Sequence, residues 1–273
     1  GGWRCSIVVT QPAPSDVLII LQPAEELATG AQFMMDSGLI PDNVRAIFGG
    51  HVDRRYSVGQ VVVHDGAISS FSDTFTVEIT GKTAHAARPE EGANPIPVLA
   101  RCCQAIEGLG QSIGEDAATN IITMTQVSGG ERYNIIPDQV FLKGTIRSLS
   151  SSIRQQFHDG LHALEGMSGV TVRVVIESSS PSVVNSNELK DGVVSSIKSV
   201  LGSDAIVALV KPNLAAEDFG FYRQQFPGWF FRFGARYADD PFVPVHTPQF
   251  FAENETVFVG AMVLSECVKI KLF

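Results

Sequence analysis

Residues 18–26 read Leu18-Ile19-Ile20-Leu21-Gln22-Pro23-Ala24-Glu25-Glu26, a branched apolar run that stops at a proline and two adjacent carboxylates. The run has the length and branching of a buried strand over residues 17–21. Pro23 has no N–H to give to a ladder, so the strand is expected to end there. Ala31, Met34 and Met35 then recur at helical spacing, which predicts a helix from Glu26 to Gly38. A strand feeding a helix points to a layered α/β architecture. In such folds ligands lie at the carboxyl ends of strands, where Glu25 and Glu26 fall. Adjacent carboxylates repel there unless a positive group lies beside them. A metal cation would serve, with one Glu as ligand and the other as general base on water. The alternative is a helix N-terminus that favours acidic residues because of its dipole.

A second apolar run, Ala46-Ile47-Phe48-Gly49-Gly50-His51, ends in a histidine. A His just past a strand end, beside the earlier carboxylates, is placed to be a second metal ligand. Gln22-Pro23-Ala24-Glu25-Glu26, the Gly-Ala-containing helix after it and Ala46 to Val52 together resemble a family. It is that of the metal-dependent amidohydrolases, which includes hippurate hydrolase, N-acyl-amino-acid deacylases and auxin-conjugate hydrolases.

Later segments extend the resemblance in order. His85 lies in Gly81-Lys82-Thr83-Ala84-His85-Ala86-Ala87-Arg88-Pro89, a loop after a strand. Flanked by small residues, it is exposed enough to act on a ligand, and on its own it reads equally as a surface histidine. The family carries a similar Gly-Lys-x-x-His-Ala-Ala-x-Pro motif, and the resemblance makes His85 an oxyanion stabiliser delivered to a partner subunit's site. Asn134 in Tyr133-Asn134-Ile135-Ile136-Pro137-Asp138 and Arg147 in Gly144-Thr145-Ile146-Arg147 resemble two further motifs. The amide of Asn134 is then a substrate holder, and Arg147 a two-pronged grip on a carboxylate. Without the resemblance both are turn chemistry and a surface salt bridge. Glu217-Asp218 resembles the family's Gly-x-Glu-Asp-Phe signature and reads as a supporting or helix-capping pair. His246, in Pro244-Val245-His246-Thr247-Pro248, matches the family's late metal ligand. By the same resemblance Glu25 is the general base, and Glu26, His51 and His246 are ligands of divalent ions. Zinc, manganese, nickel and cobalt are the candidates, and the family's sites are dinuclear. The family also carries a Cys-Gly-His-Asp-like motif that supplies a bridging ligand and a His. Counting back from Glu26 to its place runs off the start of this sequence, so half of a dinuclear set is expected to be missing from it.

The texture along the chain places these motifs. Val44–Phe48 and Gly59–His64 read as strands, the latter closed by Asp65-Gly66. Residues 73–80 alternate as a half-buried strand, and 94–109 form an amphipathic helix. Strands over 120–127 and 139–146, a helix over 151–164 and a strand over 170–176 complete a β-α-β-β-α-β order, the ferredoxin-like arrangement. Ser178-Ser179-Ser180-Pro181 then reads as a linker. After it, helices over 189–201, from 215 and over 253–271 alternate with strands over 205–210 and 229–233. The expectation is a discontinuous α/β catalytic domain, 1–70 and 179–273, of the metallo-exopeptidase kind, interrupted by an insert at 71–178.

The net charge of −9, with no basic run, argues against nucleic acid. Composition is globular, at 44% apolar and 18% charged. No apolar run approaches a membrane span. Cys5, Cys102, Cys103 and Cys267 form neither a metal finger nor a disulfide framework, which suggests an intracellular, cytoplasmic chain. His158 and His162, one helical turn apart, have metal-capable spacing, with no acidic or cysteine neighbour in sequence to complete a set. The expected activity is hydrolysis of N-acyl amino acids by a homodimer. A dipeptidase or exopeptidase on the same scaffold is the alternative within enzymes. A dimeric binding protein that has lost half of its metal site is the alternative outside them.

Overall fold

The computed structural model describes residues 16–113, 118–210, 214–245 and 247–271. In chain order its elements are α1 (Gly30–Asp36), β1 (Ile47–Ser57), β2 (Val61–Val62), β3 (Phe71–Thr80), β4 (Ala84–His85), α2 (Ile96–Ser112), β5 (Asn120–Gly129), β6 (Ile135–Ile136), β7 (Gln139–Ser148), α3 (Ser151–His162), β8 (Thr171–Ser180), α4 (Lys190–Leu201), β9 (Ile206–Val207), α5 (Phe219–Gln225), β10 (Gly228–Arg236) and α6 (Asn254–Cys267). Contacts divide the chain into two compact units. One takes the described residues of Gly1–Ile68, Val183–Pro212 and Asp218–Phe273, the other those of Ser69–Ser182 and Asn213–Glu217.

The first unit is built on a mixed sheet in the order β1-β10-β2-β9. β1 and β10 are parallel, β10 and β2 antiparallel, and β2 and β9 parallel. β10 is apolar on both faces because helices cover both. Trp229, Phe231 and Phe233 pack with Val193 and Ile197 of α4 and Val259 and Val263 of α6. Phe230, one step out of phase, packs with Ala31 of α1, Ile47, and Phe219 and Tyr222 of α5. Each Val, Ile and Phe side chain buried here stabilises the unit by up to about 1.5–3 kcal/mol.

The second unit carries an antiparallel sheet in the order β5-β7-β3-β8. Phe75, Val77 and Ile79 of β3 meet Val98, Cys102 and Ile106 of α2 and Phe157 and Leu161 of α3. The alternating Thr74, Thr76 and Glu78 point to the opposite face. Gly144 of the Gly-Thr-x-Arg segment must lack a side chain, because a Cβ there would overlap the Phe75 ring and the Thr123 carbonyl. A two-stranded ribbon of β4 and β6 stands apart from the main sheet.

Several expectations are corrected. Residues 17–21 are not a strand. A strand needs a ladder partner, and none pairs with this run among the described residues, so Leu18 stays 54% and Leu21 64% exposed. The helix does not start at Glu26: Ala24 and Ala28 adopt left-handed backbone angles, which stop helical geometry until Gly30. β1 is longer than expected and carries His51 in its middle, because β10 continues the pairing past it. The strand read over 59–64 shortens to Val61–Val62 and that over 205–210 to Ile206–Val207. Cys5 and His246 lie outside the described residues.

Candidate metal and active site

Glu25 and Glu26 sit on a single 3-10 turn, Glu25–Leu27, flanked by Ala24 at φ 54° and Ala28 at φ 53°. Each left-handed alanine costs roughly 1–2 kcal/mol, a strain that gathers at functional sites. What holds the turn is Asp218, which is 1% exposed. Its two carboxylate oxygens accept from Gln22 Nε2 at 2.8 Å each, and one also accepts the Ala31 N–H at 2.9 Å. Gln22 and Ala31 bracket the turn, so one buried carboxylate ties down both of its ends. Gln22 Oε1 in turn accepts the Tyr222 hydroxyl at 2.8 Å. Burial, and then the Asp218 charge, push the Tyr222 phenol up to about 12, so it stays a donor. Gly30 lets the helix close against the turn, since a Cβ there would overlap the Pro23 carbonyl. A carboxylate oxygen of Glu25 and one of Asp218 lie within 4.8 Å of each other. Two carboxylates that close repel unless a cation or a shared proton lies between them.

His51 lies opposite Arg232 in the β1–β10 register. Its Nδ1 is 2.7 Å from the Val52 carbonyl, to which it donates. In the neutral ring that leaves the Nε2 lone pair for a ligand. Burial holds the imidazole below its ordinary value. The Val52 hydrogen bond opposes that, the Arg232 charge adds to it, and the charges of Asp53 and Glu26 oppose it. The neutral ring is the metal-binding form. Turn and strand both belong to the first unit. Carboxylates plus an imidazole oriented through its second nitrogen form a donor set that fits a borderline divalent ion.

In the second unit His85 and Asn134 come together. His85 pairs with Ile135 on the β4–β6 ribbon, and Ala86 N–H donates to the Asn134 carbonyl at 3.0 Å. Both side chains are exposed. His85 Nδ1 accepts the Ala87 N–H at 3.1 Å, which fixes the ring. Arg147 is not brought to them. The ribbon adjoins the Gln139 end of β7, through the Gly81 N–H on the Asp138 carbonyl at 2.7 Å. Arg147 lies near the other end, about 27 Å away at ~3.4 Å per residue.

Some groups were not legible as partners. Gln22 and Asp218 are almost two hundred positions apart in the chain, so nothing local joins them. Asp73, fully buried, accepts from Arg154 at 2.7 Å and from His158 Nε2 at 2.9 Å. The carboxylate that engages His158 thus comes from 85 positions away in the chain.

Among relatives, the chain is 31% identical to a thermostable carboxypeptidase of Saccharolobus solfataricus, over 90% of this chain and 64% of that protein. It is 30% identical to an IAA-amino acid hydrolase of Arabidopsis thaliana, over 90% of this chain and 57% of that protein. A solved Bacillus subtilis structure, described as a dinuclear metal binding peptidase, superposes with a TM-score of 0.73 at 25% identity, covering 91% of this chain and 63% of that one. The chain thus spans less than two thirds of the length of each. With residues 8–269 matched by the profile of Peptidase family M20/M25/M40, the chain belongs to that family.

Proposed function

We propose that this chain carries the catalytic carboxylates of a metal-dependent amidohydrolase that cleaves N-acyl amino acids. The observation that carries the reading is the strained turn, which presents Glu25 and Glu26 in the same neighbourhood as a neutral His51 with an available Nε2. Glu26, His51 and His246 would hold a divalent ion, zinc, manganese, nickel or cobalt. When bound, such an ion supplies a Lewis acid for the amide carbonyl and for water. Glu25 takes the proton from the attacking water and passes it to the leaving amine. His85 donates to the developing oxyanion, the Asn134 amide orients the substrate, and Arg147 binds its carboxylate.

The separation of Arg147 from His85 and Asn134 favours a homodimer, in which the ribbon of one subunit serves the site of its partner. β5 offers an edge for such pairing, with Ile121 39% and Val127 58% exposed. Residues 73–80 lie between β7 and β8 and need no cover. The sheet order and helix placement of the second unit support a ferredoxin-like insert at 71–178 within a catalytic domain of 1–70 and 179–273. No described helix is long and apolar enough to cross a membrane. Cys102, Cys103 and Cys267 are free thiols, which favours a reducing, cytoplasmic setting. An exopeptidase is the second reading, favoured by the carboxypeptidase relative, since a peptide C-terminus offers Arg147 the same carboxylate.

The test is Glu25→Gln in a preparation that hydrolyses N-acyl amino acids. Metal content should stay unchanged while kcat falls at least roughly a hundredfold. Turnover near wild type would remove Glu25 from the mechanism. A preparation with neither metal nor turnover would favour a binding protein.

A further inference from the structure

We infer that Ser180 joins Arg147, on the sheet face opposite α2 and α3, as a second group that selects the substrate carboxylate. The inference rests on the proposed role of Arg147 and extends it to a second residue. The register puts Ile121, Arg147, Ser72 and Ser180 in one row across β5, β7, β3 and β8. Directly paired residues share a face. The neighbours Phe75 and Ile146 alternate onto the core face, so this row points away from the helices. Ser180 reaches the row through a bulge: Asp73 pairs with Ser178, but Ser72 pairs with Ser180, leaving Ser179 as the extra residue. Bulges re-aim side chains and recur beside active sites.

The two serines of the row are buried, Arg147 is half-buried, and the row is incompletely bonded. Ser180 is 0% and Ser72 2% exposed. The Ser180 hydroxyl and Arg147 Nη1 are both buried without a hydrogen-bond partner among the described residues. Asp73, whose charge Arg147 feels, is engaged by Arg154 and His158. A guanidinium only donates, and a hydroxyl beside it has a proton to give. The missing partner is therefore an acceptor, best an anion with two oxygens. Backbones two strands apart are about 10 Å from each other, a gap that a long Arg side chain and one small planar acceptor can bridge. A carboxylate would take one bond from the guanidinium and one from the hydroxyl. N-acyl amino acids and peptide C-termini meet this requirement. N-acyl amines, amides and esters do not.

The experiment is a calorimetric or NMR titration of the 273-residue chain with N-acetyl-L-alanine and with N-acetyl-L-alaninamide. The acid should bind at least about tenfold more tightly than the amide. Ser180→Ala should weaken the acid about tenfold and leave the amide unchanged. Because the lost hydroxyl has no partner among the described residues, the melting temperature should not fall. Ser180→Cys, nearly the same size with a weak donor, should lie between the two. An unchanged acid preference in Ser180→Ala, or a loss of stability with the preference intact, overturns the inference. Arg147→Gln separates the two readings. If it abolishes the preference while Ser180→Ala does not, only the role of Ser180 fails. If it leaves the preference intact, or if the wild-type chain shows none, the carboxylate reading of Arg147 fails as well.

Discussion

Asp218 shows how much of the site depends on a residue that need not touch substrate. Its buried carboxylate accepts three bonds, and those bonds fix both ends of the turn that presents Glu25 and Glu26. Asp218→Asn keeps the shape but removes the charge and places an amide donor against Gln22. The expected cost is about 1.5–3 kcal/mol for a charge-assisted bond, read from chemical denaturation. The same variant should lower the Tyr222 phenol from its raised value, because the Asp218 charge is one of the causes of the rise. Ultraviolet titration of tyrosinate checks the direction. A tyrosine titration identical to wild type would mean that Asp218 does not act on this cluster.

At the scale of elements, β3 and α3 are tied by the Asp73 cluster. Burial opposes the Asp73 charge, yet hydrogen bonds from Arg154 and His158, with their charges, hold its carboxyl below the ordinary value. A depressed carboxyl contributes stability that is present above its unfolded value, about 3.9, and is lost as pH falls through the folded one. The second unit should therefore lose stability below about pH 4. Asp73→Asn should cost about 3–5 kcal/mol at neutral pH and less at pH 3. Denaturation curves at both pH values test this, and equal losses would contradict it. β5 carries the other prediction at this scale. The chain should sediment as a dimer at micromolar concentration, and Val127→Lys should shift it toward monomer by placing a charge on the exposed edge. A wild-type chain that sediments only as a monomer would count against a partner-delivered His85.

For the whole molecule, the question is how many ions it holds. Glu26, His51 and His246 are three candidate donors, enough with water for one zinc-like ion. The structurally similar Bacillus subtilis peptidase is described as dinuclear. From these three donors the 273-residue chain is expected to hold one zinc-like ion. Elemental analysis with an assay on N-acyl amino acids decides it. Two stoichiometric ions with robust turnover would mean that unrecognised ligands complete the site.

Local patterns already carried much of this protein. Period-2 alternation marked β3, and helical spacing marked α2 and α3, because each element buries a single face. The Gly-Thr-x-Arg segment and the paired glutamates were visible as motifs because their chemistry is contiguous in the chain. Sequence could not tell that residues 17–21 have no ladder partner among the described residues, since an apolar run records only a readiness to pair. Nor could it show that His51 lies inside a strand, which depends on how far β10 continues beside it. Tertiary structure alone joined Asp218 to Gln22 and His158 to Asp73, and set Arg147 toward the far end of β7 from the ribbon that carries His85. Those relations are distances across a fold, and neither periodicity nor spacing along the chain encodes them.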